Sequence, residues 1–463
     1  MTGHFKAINA VSIRQQRPLR AATVSDDSSM CFLHGAPFKF NSKADGPHKA
    51  FVLGTAFSPD GSRLVTVGAD KVIQLYDGKT GEPTGTIGDG EHTGSIFSVS
   101  WSQDGSKLVT ASADQTVRLW DVESGKNIQS WRLGLEGGSV RDQQVGVVYV
   151  HGRTDGLIIS LNLDGDLTYL HEGSDKPSRI VQGHNKSITA LGAGSAGGSA
   201  LWTGSFDGRV CRWDLEKGVA TAVDSQSHSN QVVNFASGAG RTYSAGWDDM
   251  LHTIDETSSK YEGPAAKLPA QPKGIATSNG RVYVATATGV AVFENGKLLG
   301  ETPLSFIPTA IAAHNSLVAV AADQRVLILE SDSAGSLSET RALTGSTAQV
   351  SSLSFSLDGA HLAAGNAVGK ILVYGTSNWD VVTDRWSAHT ARVTCIAWSE
   401  DGAHAASGGL DTNVHVWSLV KPGSRLKAAN AHKDGVNGVA WVGGKIVSSG
   451  GDAAVKVWDV RLP

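Results

Sequence analysis

The 463-residue sequence predicts an all-β fold, and three observations carry that expectation. Glycine is abundant, at 55 residues. Charged residues make up 18% of the chain, below the ~25% usual for soluble domains. Short alternating apolar runs separated by tight turns recur along its length, the mark of many short strands.

The pattern is clearest in "HTGSIFSVSWSQDGSKLVTASADQTVRLWD", residues 92–121, where an Asp-Gly turn and an Ala-Asp-Gln turn separate three strand-like runs. Related stretches begin at His48, His389 and His432, and weaker copies near His4, Gln144, His184, His228, Pro272, Pro308 and Val350. These eleven units repeat at about the 40–45 residue period of WD-type propeller repeats. Each unit is expected to form one blade, a four-stranded sheet set radially around a channel, and a single blade buries its faces only by stacking on neighbours.

Eleven units divide as four plus seven. A polar, turn-rich passage at residues 171–185 marks the break, so residues 1–178 are expected to form four blades of an incomplete first propeller and residues 179–463 a seven-bladed second one. The final unit ends on "VKVWDVRLP" after its third strand, and no closing strand precedes His4. An N-terminal portion, the closing strand plus about three blades, is therefore expected to be missing, leaving two blade faces of the first arc open to water.

The best copies share four spaced residues: His92, Thr110, Asp114 and Trp120, and likewise His389, Ser407, Asp411 and Trp417. A His, a Ser/Thr and an Asp evoke a hydrolase triad. Repetition argues against that, since each blade would need its own active site. A buried hydrogen-bond network locking loop to strands accounts for every copy, each bond adding ~1 kcal/mol net. No catalytic residue is assigned.

Other signals are weak. "GAGSAG" fits G-x-G-x-x-G through Gly192, Gly194 and Gly197, yet a strand-like run follows it, not a helix that could hold a pyrophosphate. Asn185-Lys186-Ser187 fits a glycosylation acceptor, but no modification is expected in a cytoplasmic chain. Cys31, Cys211 and Cys395 lie far apart and indicate neither a cysteine zinc site nor a disulfide framework, so no metal is assigned. With 40 basic and 44 acidic side chains, the net charge of −4 gives no global field for nucleic acid. No apolar run reaches the ~20 residues of a membrane span, so neither nucleic acid nor membrane is an expected partner.

One stretch falls outside the generic repeat. "HGAPFKF", residues 34–40, sets Phe38 and Phe40 around Lys39 before a polar loop. Together with "RPLRAATVSDDSSMCFLHGAPFKF", "YDGKTGEPTG", "RDQQVGVVY", "GHNKSITAL", "GWDDMLHTID" and the C-terminal "VKVWDVRLP", it resembles the actin-interacting protein 1 family, double-propeller WD-repeat cofactors of cofilin, across essentially the whole chain.

That resemblance implies a non-enzymatic, cofactor-free and monomeric regulator of the cytoplasmic actin cytoskeleton. It would bind cofilin-decorated actin filaments and promote their disassembly by severing or end capping. It also implies an actin-binding set at Asp26, Lys39, Phe40 and Phe51. Placed on the expected strands, the four open on one propeller face, with Phe40 and Phe51 as apolar anchors and Lys39 and Asp26 as orienting charges. Asp27, at network spacing from His4 and Thr23, is expected to be structural, leaving Asp26 to point outward. The residues alone also allow Phe38 and Phe40 to pack an outer strand, Lys39 to be a solvated edge charge, and Phe51 to fill a core. Gly35-Ala36-Pro37 replaces the family's Gly-Pro-Pro, Leu33 stands where an aromatic is usual, and a family acidic contact on the preceding blade has no counterpart here. A general interaction scaffold, such as a ligase substrate receptor, is the alternative. A propeller enzyme would need polar or metal-binding residues converging on a channel mouth.

Overall fold

The computed structural model describes residues 3–134, 138–195, 200–223 and 227–462, and Gly197 of "GAGSAG" lies outside them. The chain is all-β, with one short 3-10 turn, Val140–Asp142, as the sole helical element among the described residues. The WD propeller class therefore holds. The chain divides into two compact units, residues 1–182 and 183–463.

Among the described residues the first unit contains four antiparallel four-stranded sheets, spanning residues 8–45, 52–87, 96–132 and 144–181. The opening sheet runs in sequence order through β1 (Ile8–Arg14), β2 (Arg20–Ser25), β3 (Ser29–His34) and β4 (Lys39–Asp45), and the next begins with β5 (Val52–Phe57). Apolar side chains from neighbouring sheets meet between them: Val65, Val67 and Ile73 of one pack against Ile96, Leu108 and Trp120 of the next. Each fully buried side chain of this kind adds roughly 1.5–3 kcal/mol.

Local chemistry explains the turns. In "SPDGSRL", Asp60 accepts hydrogen bonds from Ser58 Oγ (2.6 Å) and the Ser62 N–H (3.0 Å), and Gly61 takes a positive φ of 70° that disfavours any side chain. Those two serines hold the Asp60 carboxyl down at about 2. The device recurs at Ser102-Asp104, Ser356-Asp358 and Ser399-Asp401.

Among the described residues the second unit contains seven sheets, spanning residues 188–222, 232–267, 272–303, 310–343, 350–386, 393–428 and 436–458. The last has three strands among the described residues. They close into a ring. Leu191 and Leu201 of the first sheet pack against Ala440, Val442 and Val447 of the last, and Asn437 Nδ2 donates to the Ile188 carbonyl at 2.7 Å.

The same joint links other neighbours around the channel. The hydroxyls of Thr189, Thr309 and Ser351 each donate to an inner-strand carbonyl of the following sheet, on Val232, Val350 and Val393, all at 2.6 Å. Indole groups add a second tie: Trp398 Nε1 donates to Ser354 O at 3.0 Å and Trp441 Nε1 to Ala397 O at 3.1 Å.

Candidate functional site

The repeated polar residues come together as buried networks. His92 Nδ1 lies 2.8 Å from Asp114, His92 Nε2 lies 2.8 Å from Thr110 Oγ1, and Trp120 Nε1 donates to the same hydroxyl at 2.9 Å. In the sheet of residues 393–428 the corresponding distances are 2.9 Å from His389 to Asp411, 2.8 Å from His389 to Ser407, and 2.7 Å from Trp417 to Ser407. Against the cost of burial, the hydrogen bond from His92 holds the Asp114 carboxyl well below the usual carboxylate range. The hydroxyl in each network is engaged by both histidine and indole. This arrangement stitches the loop before a blade to its second and third strands.

The first blade carries the same network without an indole. His4 Nδ1 sits 3.1 Å from Asp27 Oδ2, and His4 Nε2 lies 3.0 Å from Thr23 Oγ1. Burial works against ionisation of Asp27, but hydrogen bonds from Ser29, His4 and the Phe5 N–H together hold its carboxyl far below its ordinary value. Asp27 is thus committed to the interior of the turn.

Asp26 stands beside it but is not free. It is half-buried, and its Oδ1 accepts a 2.7 Å hydrogen bond from Asn9 Nδ2 on β1. The same amide nitrogen donates to Val52 O at 2.8 Å. Asn9 therefore bridges the β2–β3 turn of one sheet to the start of β5 in the next, directly after Phe51. Phe51 is 48% exposed, and Lys6 Nζ stands 5.7 Å from its ring centroid. A core role for Phe51 is excluded.

Lys39 and Phe40 are elsewhere, which corrects the expectation of a single face. They open β4, paired with His34 and Leu33 next to the β3–β4 turn, whereas the other end of β4 pairs Asp45 with Ser29 beside the turn that holds Asp26. Five residues separate Phe40 from Asp45, about 16 Å of strand at ~3.3 Å per residue. The chain reverses at each hairpin, so the β2–β3 and β3–β4 turns lie at opposite ends of the blade. Phe40 is 46% exposed, with its ring close to Gly3, and Lys39 and Phe38 are exposed as well. Asp26 and Phe51 are brought together; Lys39 and Phe40 form a second, separate feature on the outer strand.

The structure adds residues that the pattern reading passed over. Phe5 is 75% exposed, and Lys43 Nζ lies 5.0 Å from its ring centroid. Phe5, Lys6 and Asn9 join Asp26 and Phe51 at the same end of the blade. A signal for Phe5 was present: it directly follows the network histidine His4, so its N–H is turned onto Asp27 and its side chain outward.

The channel of the second unit forms a cavity of ≈ 530 Å³. Its lining residues include Thr189, Thr309 and Ser351, whose hydroxyls are engaged between sheets, and among the described residues no carboxylate. Lys273, His314 and Cys395 are the titratable side chains on its wall among the described residues. No acid–base pair faces the channel there. Among the described residues no helix is long and apolar enough to cross a membrane.

Comparison with known proteins places this geometry among relatives. The WD domain, G-beta repeat model matches residues 43–77, 81–121, 381–418 and 423–459. An uncharacterized WD repeat-containing protein of Schizosaccharomyces pombe is 38% identical over 99% of the chain and 76% of its own length. WD repeat-containing protein 1 of Gallus gallus is 36% identical, with the same coverage of each chain. Actin-interacting protein 1 of Caenorhabditis elegans is 33% identical, again over 99% of this chain and 76% of the relative.

Proposed function

The chain belongs to the actin-interacting protein 1 family of WD-repeat proteins, and on that premise we propose that it binds cofilin-decorated actin filaments and promotes their disassembly, by severing them or capping the new ends. The observation that carries this reading is the similarity over essentially the whole chain to relatives named for actin interaction. The exposed aromatic residues of the first blade supply a surface for it. Phe51, held beside Asp26 through Asn9, serves as an apolar anchor with an orienting charge next to it. Lys39 and Phe40 make a second contact on the outer strand. A partner touching all four reaches from one end of the blade down its outer edge, a footprint suited to a filament rather than to a small ligand.

The mechanism needs no cofactor and no chemical step. A ligand that prefers the cofilin-altered filament, or its ends, over the bare filament shifts the population toward that state by its difference in affinity. In this reading the first unit, residues 1–182, carries the actin contact, residues 183–463 form the second propeller, and the protein acts as a monomer in the cytoplasm.

The test is the fraction of actin left in the supernatant when filaments, cofilin and the protein are centrifuged together, beside cofilin-only and protein-only controls. A rise that requires both proteins is expected. No rise, or one equally large without cofilin, overturns the reading.

A further inference from the structure

Two sheets of the second unit carry an additional buried histidine next to the His–Asp pair of their network. His252 follows Asp248 by four positions, and His415 follows Asp411 by four. In two other sheets of the second unit this strand position holds a side chain that reaches the carbonyl preceding the network histidine: Lys456 Nζ donates to Ala431 O, and Cys211 Sγ lies 3.9 Å from Gly183 O.

His415 does neither. It is 1% exposed, and neither ring nitrogen has a hydrogen-bond partner among the described residues. Leaving one buried polar atom unpaired costs roughly 1–3 kcal/mol, so two on one imidazole demand a physical account. The ring stands edge-on to His389, with centroids 4.6 Å apart and planes at 87°. Donor atoms of His389, Asp411 and His415 all lie within 4.8 Å of one another.

The arrangement occurs twice. His228 and His252 meet edge-on at 4.4 Å and 75°, and with Asp248 they again bring three donor atoms within 4.8 Å. Here too a buried polar atom lacks a partner, the hydroxyl of Tyr261, whose ring lies 5.0 Å from that of His252.

We propose that His389, Asp411 and His415, and equivalently His228, Asp248 and His252, are sites for a divalent transition cation of the zinc class. Two imidazoles and one carboxylate are a donor set that zinc favours, with water in the fourth position of a tetrahedron. Ligands at 2.0–2.1 Å from zinc stand about 3.4 Å apart, so the side chains close by roughly 1 Å on binding. The network already supplies outer-shell support: His389 Nε2 lies 2.8 Å from Ser407 Oγ, itself held by Trp417. Coordination at His389 Nδ1 moves the imidazole proton to Nε2, which then donates to Ser407, so no proton need leave the site. A single water would meet some of the unpaired nitrogens but would not account for the paired histidines and carboxylate occurring twice.

The experiment uses the full chain, stripped with a chelator and titrated with Zn²⁺ by calorimetry, with Co²⁺ as a spectroscopic reporter. About two ions per chain are expected, with the visible bands of tetrahedral Co²⁺ and a raised unfolding temperature. His415→Gln and His252→Gln should each remove one ion, and the double variant both. Absence of binding to the folded wild-type chain overturns the proposal, whatever the variants do. So does octahedral Co²⁺, or a stoichiometry unchanged in variants whose near-UV circular dichroism remains native.

Discussion

Asn9 Nδ2 lies 2.7 Å from Asp26 Oδ1 and, with the same nitrogen, 2.8 Å from the carbonyl of Val52, so one amide fixes an acidic turn of the first blade against the aromatic entrance of the second. Asn437 makes the corresponding bond where the ring of the second unit closes, to Ile188 O. Asn9→Ala removes both contacts at once. The expected result is a loss of about 1–2 kcal/mol from the first unit, read by urea denaturation, and a roughly five- to tenfold fall in cofilin-dependent filament disassembly. Full activity would show that Asp26 and Phe51 do not depend on this bridge.

Phe40 pairs with Leu33 beside the β3–β4 turn, whereas Phe51 follows the opposite end of β4, so their contributions to filament binding should add. Phe40→Ala and Phe51→Ala are each expected to weaken co-sedimentation without unfolding the chain, because both rings are about half exposed. The double variant should lose the sum of the two effects to within about 0.5 kcal/mol. A coupling energy well above that would place both rings in one compact patch, against the register of β4.

Ser407 is the shared partner of His389 Nε2 and Trp417 Nε1, at 2.8 and 2.7 Å. Ser407→Ala leaves both nitrogens buried and unpaired. A destabilisation of about 2–4 kcal/mol is expected in the denaturation of the second unit, more than removal of a single surface hydroxyl would produce. A change under 1 kcal/mol would mean that the network contributes little to holding the blade.

His184 provides a pH test. It lies 2.7 Å from Thr203 Oγ1, while its Nδ1 has no partner among the described residues. Burial, aided by the charge of Arg209, lowers its pKa from near 6.5 to about 4. The unfolded chain therefore takes up this proton first as the medium acidifies. The contribution of neutral His184 is fully present above pH 6.5, falls between about pH 6.5 and 4, and is gone below that range. Unfolding temperature measured across this window should drop with a slope that His184→Gln reduces. An unchanged slope would assign the acid sensitivity to other groups.

The sequence by itself determined the all-β class and the residues of each network. Both rest on local chemistry: strand alternation, Asp-Gly turns such as Asp60-Gly61, and the constant spacing that sets His92 against Thr110 and Asp114. It also pointed to Phe40 and Phe51, through a family resemblance rather than through periodicity. Only the tertiary structure decided which ends of the blade they occupy. "HGAPFKFNSKAD" permits the hairpin turn on either side of Phe38-Lys39-Phe40, and its position before Lys39 sends those residues to the end away from Asp26. Asn9 was illegible for a related reason. Its second partner, Val52, lies 43 residues on in another sheet, and although a polar side chain recurs at this inner-strand position, as at Thr189 and Asn437, only blade stacking sets which carbonyl it meets. His415 looks along the chain like any strand residue. Its want of a partner exists only once β-pairing and blade stacking have closed around it.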